Sequence, residues 1–164
     1  MIELLVLDVD GCLTAGEISY TSHGEEFKTF SVKDGLAIVT WIRMGKKVAI
    51  ITGRNSEIVA RRAKELNITF LYQGIKDKES TLKSILKETN LDLSHVAAIG
   101  DDLNDYKMLQ KSQLSFTPQD GATQIKTIVD IVLEKKGGDG AVREMIEIIL
   151  EKEGLSEEFL QQWV

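Results

Sequence analysis

Six apolar runs without internal alternation recur along the 164 residues: LLVLDV (4–9), KKVAIIT (46–52), ITFLYQ (68–73), HVAAIG (95–100), SQLSFT (112–117) and DIVLE (130–134). A strand that shows one face to water alternates apolar with polar residues, whereas a strand covered on both faces has no need to. Between the runs lie segments with apolar residues at helical spacing, such as DGLAIVTWIRMG (34–45) and SEIVARRAKELN (56–67). Strand and helix alternating in this way predict an α/β fold, a doubly wound parallel sheet with helices on both faces. The length suits a single domain over 1–164 with one sizeable core, and 43% hydrophobic residues can fill it. One segment breaks the rhythm. Residues 17–32, EISYTSHGEEFKTFSV, alternate on either side of Ser22, His23 and Gly24, and predict a β-hairpin inserted after the first strand. The single proline, Pro118, marks the end of the LSFT strand.

The charge balance limits the partners. Twenty Lys and Arg against 26 Asp and Glu give a net charge of −6, so no broad basic field is available to gather nucleic acid or anionic lipid. No apolar run reaches the roughly 18 residues of a membrane span, and no basic flank precedes the N-terminal run as it would in a signal peptide. The expectation is a cytoplasmic protein with neither nucleic acid nor membrane as partner. Cys12 stands alone, so an internal disulfide is excluded.

In a doubly wound sheet the loops at the carboxyl ends of the strands gather on one rim, where ligands bind. Following each run to its end puts Asp8 and Asp10 after the first, Thr52, Gly53 and Arg54 after the second, and Gly100, Asp101 and Asp102 after the fourth. A helix start near IKDKES contributes Lys78. Three or more convergent carboxylates repel one another unless a cation lies among them, and an all-oxygen donor set suits Mg²⁺ better than zinc. The Thr hydroxyl and the Lys ammonium are then free to hold an anion beside the metal, as a phosphoryl group requires.

Asp8-Val9-Asp10-Gly11, Thr52, Lys78 and GDDLND at 100–105, in that order, resemble the four motifs of the haloacid dehalogenase superfamily over nearly the whole chain. The resemblance implies a Rossmann-like core and makes Asp8 the nucleophile that takes up the phosphoryl group as an aspartyl phosphate. It makes Asp10 the group that protonates the leaving oxygen and then activates water. Asp8, the backbone carbonyl of Asp10, and Asp101 would bind Mg²⁺, Asp105 would orient Lys78 or the metal's waters, and Thr52, Gly53 and Lys78 would grip the phosphate. Only a hairpin and one helix separate the first two motifs and one helix the last two, so no cap domain is expected. Capless members of this length with segments like YQGIKDK (72–78) and GGDGAVRE (137–144) act on phosphorylated 3-deoxy sugar acids in lipopolysaccharide precursor synthesis. Arg54 directly after Thr-Gly resembles those that take the eight-carbon acid; the nine-carbon acid is the alternative. Arg54, Arg62 and Arg143 are the candidate contacts to the substrate carboxylate. The resemblance also implies a homotetramer in which the hairpins pack together through Ile18, Tyr20, Phe27 and Phe30. The tail from Gly137, with glycines for a flexible turn and then an amphipathic helix, would reach a neighbour's rim as a lid; the plainer reading is a last helix packed on its own sheet.

Plainer roles exist for several of these residues. Asp and Gly end strands often, Asp102 and Asn104 suit a turn or helix cap, and Arg54 and Arg62 suit a solvated helix start. Asp34 reads equally as the N-cap of the helix after it and as a substrate contact, Arg61 as a surface partner, and Cys12 as a small buried side chain. Other chemistries fail on spacing. A cysteine phosphatase needs an Arg six residues after its Cys, and Ile18 stands there; His23 follows Ser22 rather than an Arg; no G-x-x-x-x-G-K-[ST] is present. A receiver-type signalling module uses a similar Asp, Thr and Lys set, but it keeps its phosphoryl group and has no use for a second Asp at position 10.

Overall fold

The computed structural model describes all 164 residues. Each of the six apolar runs forms a strand: β1 (Leu4–Leu7), β4 (Lys47–Ile51), β5 (Phe70–Tyr72), β6 (Val96–Ile99), β7 (Leu114–Thr117) and β8 (Ile131–Val132). They make one sheet in the order β5-β4-β1-β6-β7-β8, parallel throughout. β1 lies at its centre, and all four of its residues are inaccessible to solvent. Successive side chains point to opposite faces, so Leu5 and Leu7 enter one apolar cluster while Leu4 and Val6 enter the other. The first cluster is closed by α1 (Val32–Arg43), α2 (Glu57–Glu65) and α6 (Ala141–Glu153), and the second by α3 (Lys78–Thr89), α4 (Tyr106–Lys111) and α5 (Thr123–Lys126).

The strand order reverses at β1, whose residue Leu7 pairs with Ile50 of β4 and with Ile99 of β6. The carboxyl ends of these three strands therefore open a crevice at the switch point of the sheet, where α/β proteins bind ligands.

The inserted hairpin is shorter than its sequence pattern predicts. Only β2 (Ser19–Tyr20) and β3 (Glu26–Phe27) pair, across a turn closed by the Thr21 amide donating to Glu25 O (2.9 Å). Residues 28–31 leave the ladder because Ser31 already begins α1: its hydroxyl accepts from the Lys33 and Asp34 amides (3.2 and 3.5 Å). Asp34 is thus not the N-cap of α1. It sits in the first turn and accepts from the Arg143 amide (2.8 Å), tying α1 to the start of α6.

The tail does not extend from the molecule as a lid. α6 lays Val142, Met145, Ile146, Ile149 and Leu150 against α1 and the sheet, all but fully buried. At roughly 2 kcal/mol for each such side chain, this contact is worth on the order of 10 kcal/mol before entropy, as much as a whole domain's net stability. After α7 (Ser156–Leu160), Trp163 Nε1 donates to Thr40 Oγ1 (2.9 Å) and its ring lies under Arg43. The amphipathic pattern that suggested a lid is that of a core helix on its own sheet.

Candidate active site

β1 delivers Asp8 to the crevice, and the chain then turns sharply through Val9–Leu13, a π-type turn with Gly11 at φ 93°. Only glycine serves there, since a Cβ on Gly11 would overlap the carboxylate of Asp101. The turn is also buttressed from below. Gly138 N donates to Cys12 O (2.9 Å), and a Cβ on Gly137 would collide with the Gly11 carbonyl. Gly137 and Gly138, expected as part of a flexible turn, are a close-packed floor under the Asp8 loop.

Lys78 is the first residue of α3, whose N-cap Asp77 accepts from the Ser80 amide (3.1 Å). Its side chain is buried, and Nζ donates to Asp8 Oδ1 (2.7 Å) and Asp105 Oδ1 (2.5 Å). Asp105 uses its other oxygen to accept from the amides of Asp101 and Asp102 (3.0 and 3.3 Å). That bond folds the loop after β6 so that Asp101 faces Asp8. The spacing of GDDLND follows: Gly100 makes room for Asp105, Asp101 points into the crevice, and Asp102 caps the short 3₁₀ turn Leu103–Asp105.

The cluster is electrostatically unbalanced. Asp8 and Asp105 share one buried ammonium, and Asp101, facing Asp8, has no cation of its own. Burial first, then the charges of Asp8 and Asp105, push the Asp101 carboxyl from 3.8 to about 8. Burial and the Asp105 charge raise Asp8 to about 6 against the opposing pull of Lys78. One oxygen each from Asp8 and Asp101 and the Cys12 sulfur lie within 4.8 Å of one another. Burial, together with the Asp8 and Asp101 charges, drives the Cys12 thiol well above its ordinary value, so it stays protonated and leaves a hard, oxygen-only donor set. Such a set fits Mg²⁺, and a divalent cation would return both carboxyls to their ionised forms.

Thr52 directly follows β4 and is buried; its amide donates to Tyr72 O (3.0 Å) and its carbonyl accepts from the Ile75 amide (3.1 Å), fixing the turn into Gly53. Asp10 lies at the mouth, its carboxylate about a fifth exposed, with Oδ1 accepting from Lys28 Nζ (2.6 Å). Arg54 stands at the rim, half exposed, where Nη2 donates to Tyr20 Oη (3.3 Å) and Glu26 Oε1 (3.4 Å) of the hairpin. Seven of the ten expected site residues, Asp8, Asp10, Thr52, Gly53, Lys78, Asp101 and Asp105, thus gather at the switch point with Arg54 at their edge. Arg62 and Arg143 do not join them. Arg62 lies over the Phe30 ring and pairs with Glu65 (3.4 Å), whereas Arg143 pairs with Glu147 (2.5 Å) along α6 and lies over Phe159. The sequence reading missed Lys28, although the period of two along the hairpin sets it on the same face as Glu26.

A parallel sheet with this carboxylate and lysine cluster at its switch point defines a haloacid dehalogenase-like hydrolase, and the family model of that description matches residues 70–146. The 3-deoxy-D-manno-octulosonate 8-phosphate phosphatase of Haemophilus influenzae is 37% identical over 96% of this chain and 88% of its own length. That of Escherichia coli K12 is 39% identical over 96% of this chain and 84% of its own. The crystal structure of the Moraxella catarrhalis enzyme, in complex with magnesium ion, phosphate ion and KDO, superposes with a TM-score of 0.95 at 41% identity, covering 99% of this chain and 94% of that one. The cobalt-bound Haemophilus influenzae structure gives a TM-score of 0.89 over 93% and 90% of the two chains at 37% identity. The chain belongs to the family of 3-deoxy-D-manno-octulosonate 8-phosphate phosphatases.

Proposed function

We propose that the chain is a single capless phosphatase domain that hydrolyses 3-deoxy-D-manno-octulosonate 8-phosphate to the free sugar acid and inorganic phosphate. The observation that carries this reading is the seat of Asp8: at the end of the central strand, 2.7 Å from Lys78, faced by Asp101 and with Asp10 at the mouth. Asp8 attacks phosphorus while the bond from phosphorus to the sugar oxygen breaks, and Asp10 gives that oxygen a proton. Asp10 then takes a proton from water, whose oxygen attacks the aspartyl phosphate, releasing phosphate and restoring Asp8. Lys78 and the Thr52 hydroxyl, with the Gly53 amide, hold the non-bridging oxygens, and Asp105 holds Lys78 in place. Asp8, the Asp10 carbonyl and Asp101 would hold Mg²⁺, which when bound offsets the charge of the transferring phosphoryl group.

Arg54 is the proposed partner of the substrate carboxylate. It lies at the open rim, and its present partners, Tyr20 and Glu26, are on the exposed hairpin. Among phosphorylated 3-deoxy-ulosonates the eight-carbon acid is expected to have the highest kcat/KM, and Arg54→Ala to lower it by about tenfold or more through loss of a charge-assisted fork. Preference for the nine-carbon acid, or an unchanged kcat/KM in Arg54→Ala, contradicts the assignment. A homotetramer in the cytoplasm is the proposed working form. The hairpin and the start of α1 expose Ile18, Tyr20, Phe27, Val32 and Leu36, an apolar strip that subunit contact would cover. No helix is long and apolar enough to cross a membrane.

A further inference from the structure

Asp10 has little of its own to hold it. Its neighbour Gly11 offers no side chain to pack on, and Asp10 itself sits in extended backbone (φ −72°, ψ 114°) at the open mouth of the crevice. An acid that must meet a leaving oxygen within hydrogen-bond reach cannot be left to sample three rotamers. The group that fixes it comes from the hairpin. Lys28 Nζ donates to Asp10 Oδ1 at 2.6 Å, and no protein group donates to Oδ2. The Lys28 side chain is 99% buried although the hairpin around it is exposed, and Glu26 Oε1 anchors its ammonium from the other side at 3.3 Å. Glu26 in turn meets Arg54 at 3.4 Å. A continuous chain of charges therefore joins the rim to the acid.

Fixing a lysine side chain costs about 2 kcal/mol of rotamer freedom, and desolvating its charge costs more. Two strands of two residues each cannot repay that by their own pairing, and a lysine left in solvent would serve the hairpin as well.

We propose that Lys28 is a positioning residue for the reaction: it clamps one oxygen of Asp10, leaving Oδ2 to carry the proton to the leaving group and, later, from water. Lys28 touches neither phosphorus nor the leaving oxygen. The hairpin then does more than cover the site, because its seating sets the aim of the acid. This inference rests on the role given above to Asp10.

The test uses Lys28→Met and Lys28→Arg in the full chain with Mg²⁺, measuring kcat/KM on the eight-carbon sugar-acid phosphate and on p-nitrophenyl phosphate. An alkoxide needs a proton to depart and nitrophenolate does not, and kcat/KM ends at that departure. Lys28→Met is expected to lose about 30-fold or more on the sugar phosphate and under about threefold on the aryl phosphate, with Lys28→Arg recovering most of the loss. In an Asp10→Asn background Lys28→Met should have no further effect on the sugar phosphate, since there is no acid left to aim. Equal losses on both substrates would mean a merely structural role and overturn the proposal, as would no loss on either. Should Asp10→Asn itself turn over the sugar phosphate at the parent's rate, the role of Asp10 fails instead, and the two failures are thereby told apart.

Discussion

Withdrawing the cation from the carboxylate cluster is expected to make stability fall as pH rises. Burial and the neighbouring charges move Asp101 from 3.8 to about 8 and Asp8 to about 6. In the metal-free protein the folded state therefore keeps protons that the unfolded chain has released. The corresponding stability is whole below the unfolded value of 3.8 and is lost as pH rises through about 6 and about 8. For Asp101 alone the separation is worth about 6 kcal/mol at most, at about 1.4 kcal/mol for each tenfold step. The two carboxyls share one site, so their effects do not simply add, and Asp101 is only partly buried. A loss of about 3–4 kcal/mol is the working figure, or about 10 °C in Tm for a chain of this length. Thermal melts should be run across about pH 4.5–8.5, once in excess chelator and once in saturating Mg²⁺. The gap between the two curves isolates the cluster, because Asp34, raised to about 6 by its own burial, acts alike in both. The gap should be small in acid and widen toward pH 8. Asp101→Asn in chelator should melt above the parent at high pH and ignore Mg²⁺. A gap independent of pH, or widest in acid, would refute the electrostatic account.

Three further substitutions, one of them read by particle mass, probe the packing. Lys78→Met leaves Asp8 and Asp105 buried beside an apolar chain and should cost about 3–5 kcal/mol in urea unfolding together with at least about 100-fold in kcat; unaltered stability would contradict the buried pair. Gly137→Ala forces a methyl group onto the Gly11 carbonyl and should lower kcat by about tenfold or more in a chain that still folds, whereas a parent-like kcat would deny that the GGDG segment supports the Asp8 loop. Light scattering should give four chains per particle, and Phe27→Asp should dissociate them; a fully active monomer would remove the proposed role of the apolar hairpin strip. Truncation before Gly137 does not test a lid, because it deletes a core helix and should unfold the protein.

Burial on both faces is what made the sheet legible: each of the six unpatterned apolar runs is a strand, and the polar residues just past β1, β4 and β6 are the ones that converge. The hairpin was legible as a pattern but not in extent, since Ser31 captures the chain for α1 four residues after β3. Positions decided by contacts distant in sequence were not legible. A glycine-rich turn before an amphipathic helix reads the same whether the helix docks on its own sheet or on another chain. Asp34 has the look of a local cap, yet its partner is the Arg143 amide, 109 residues away. Lys28 lies in no motif, and its link to Asp10 depends on how the hairpin folds back over the crevice. Arg143 is the exception. Glu147, one helical turn on, was visible in the sequence as its nearest partner.

Asp8 is proposed to carry the phosphoryl group, and trapping that intermediate tests the mechanism most directly. The enzyme with Mg²⁺ should be mixed with phosphate-labelled substrate, quenched in acid within one turnover, reduced with borohydride and mapped by mass spectrometry. Protein-bound label that is stable in acid and lost in base is expected, with Asp8 reduced to homoserine and no such product in Asp8→Asn. Label on another residue, or rapid turnover with no bound label at any time, would contradict it.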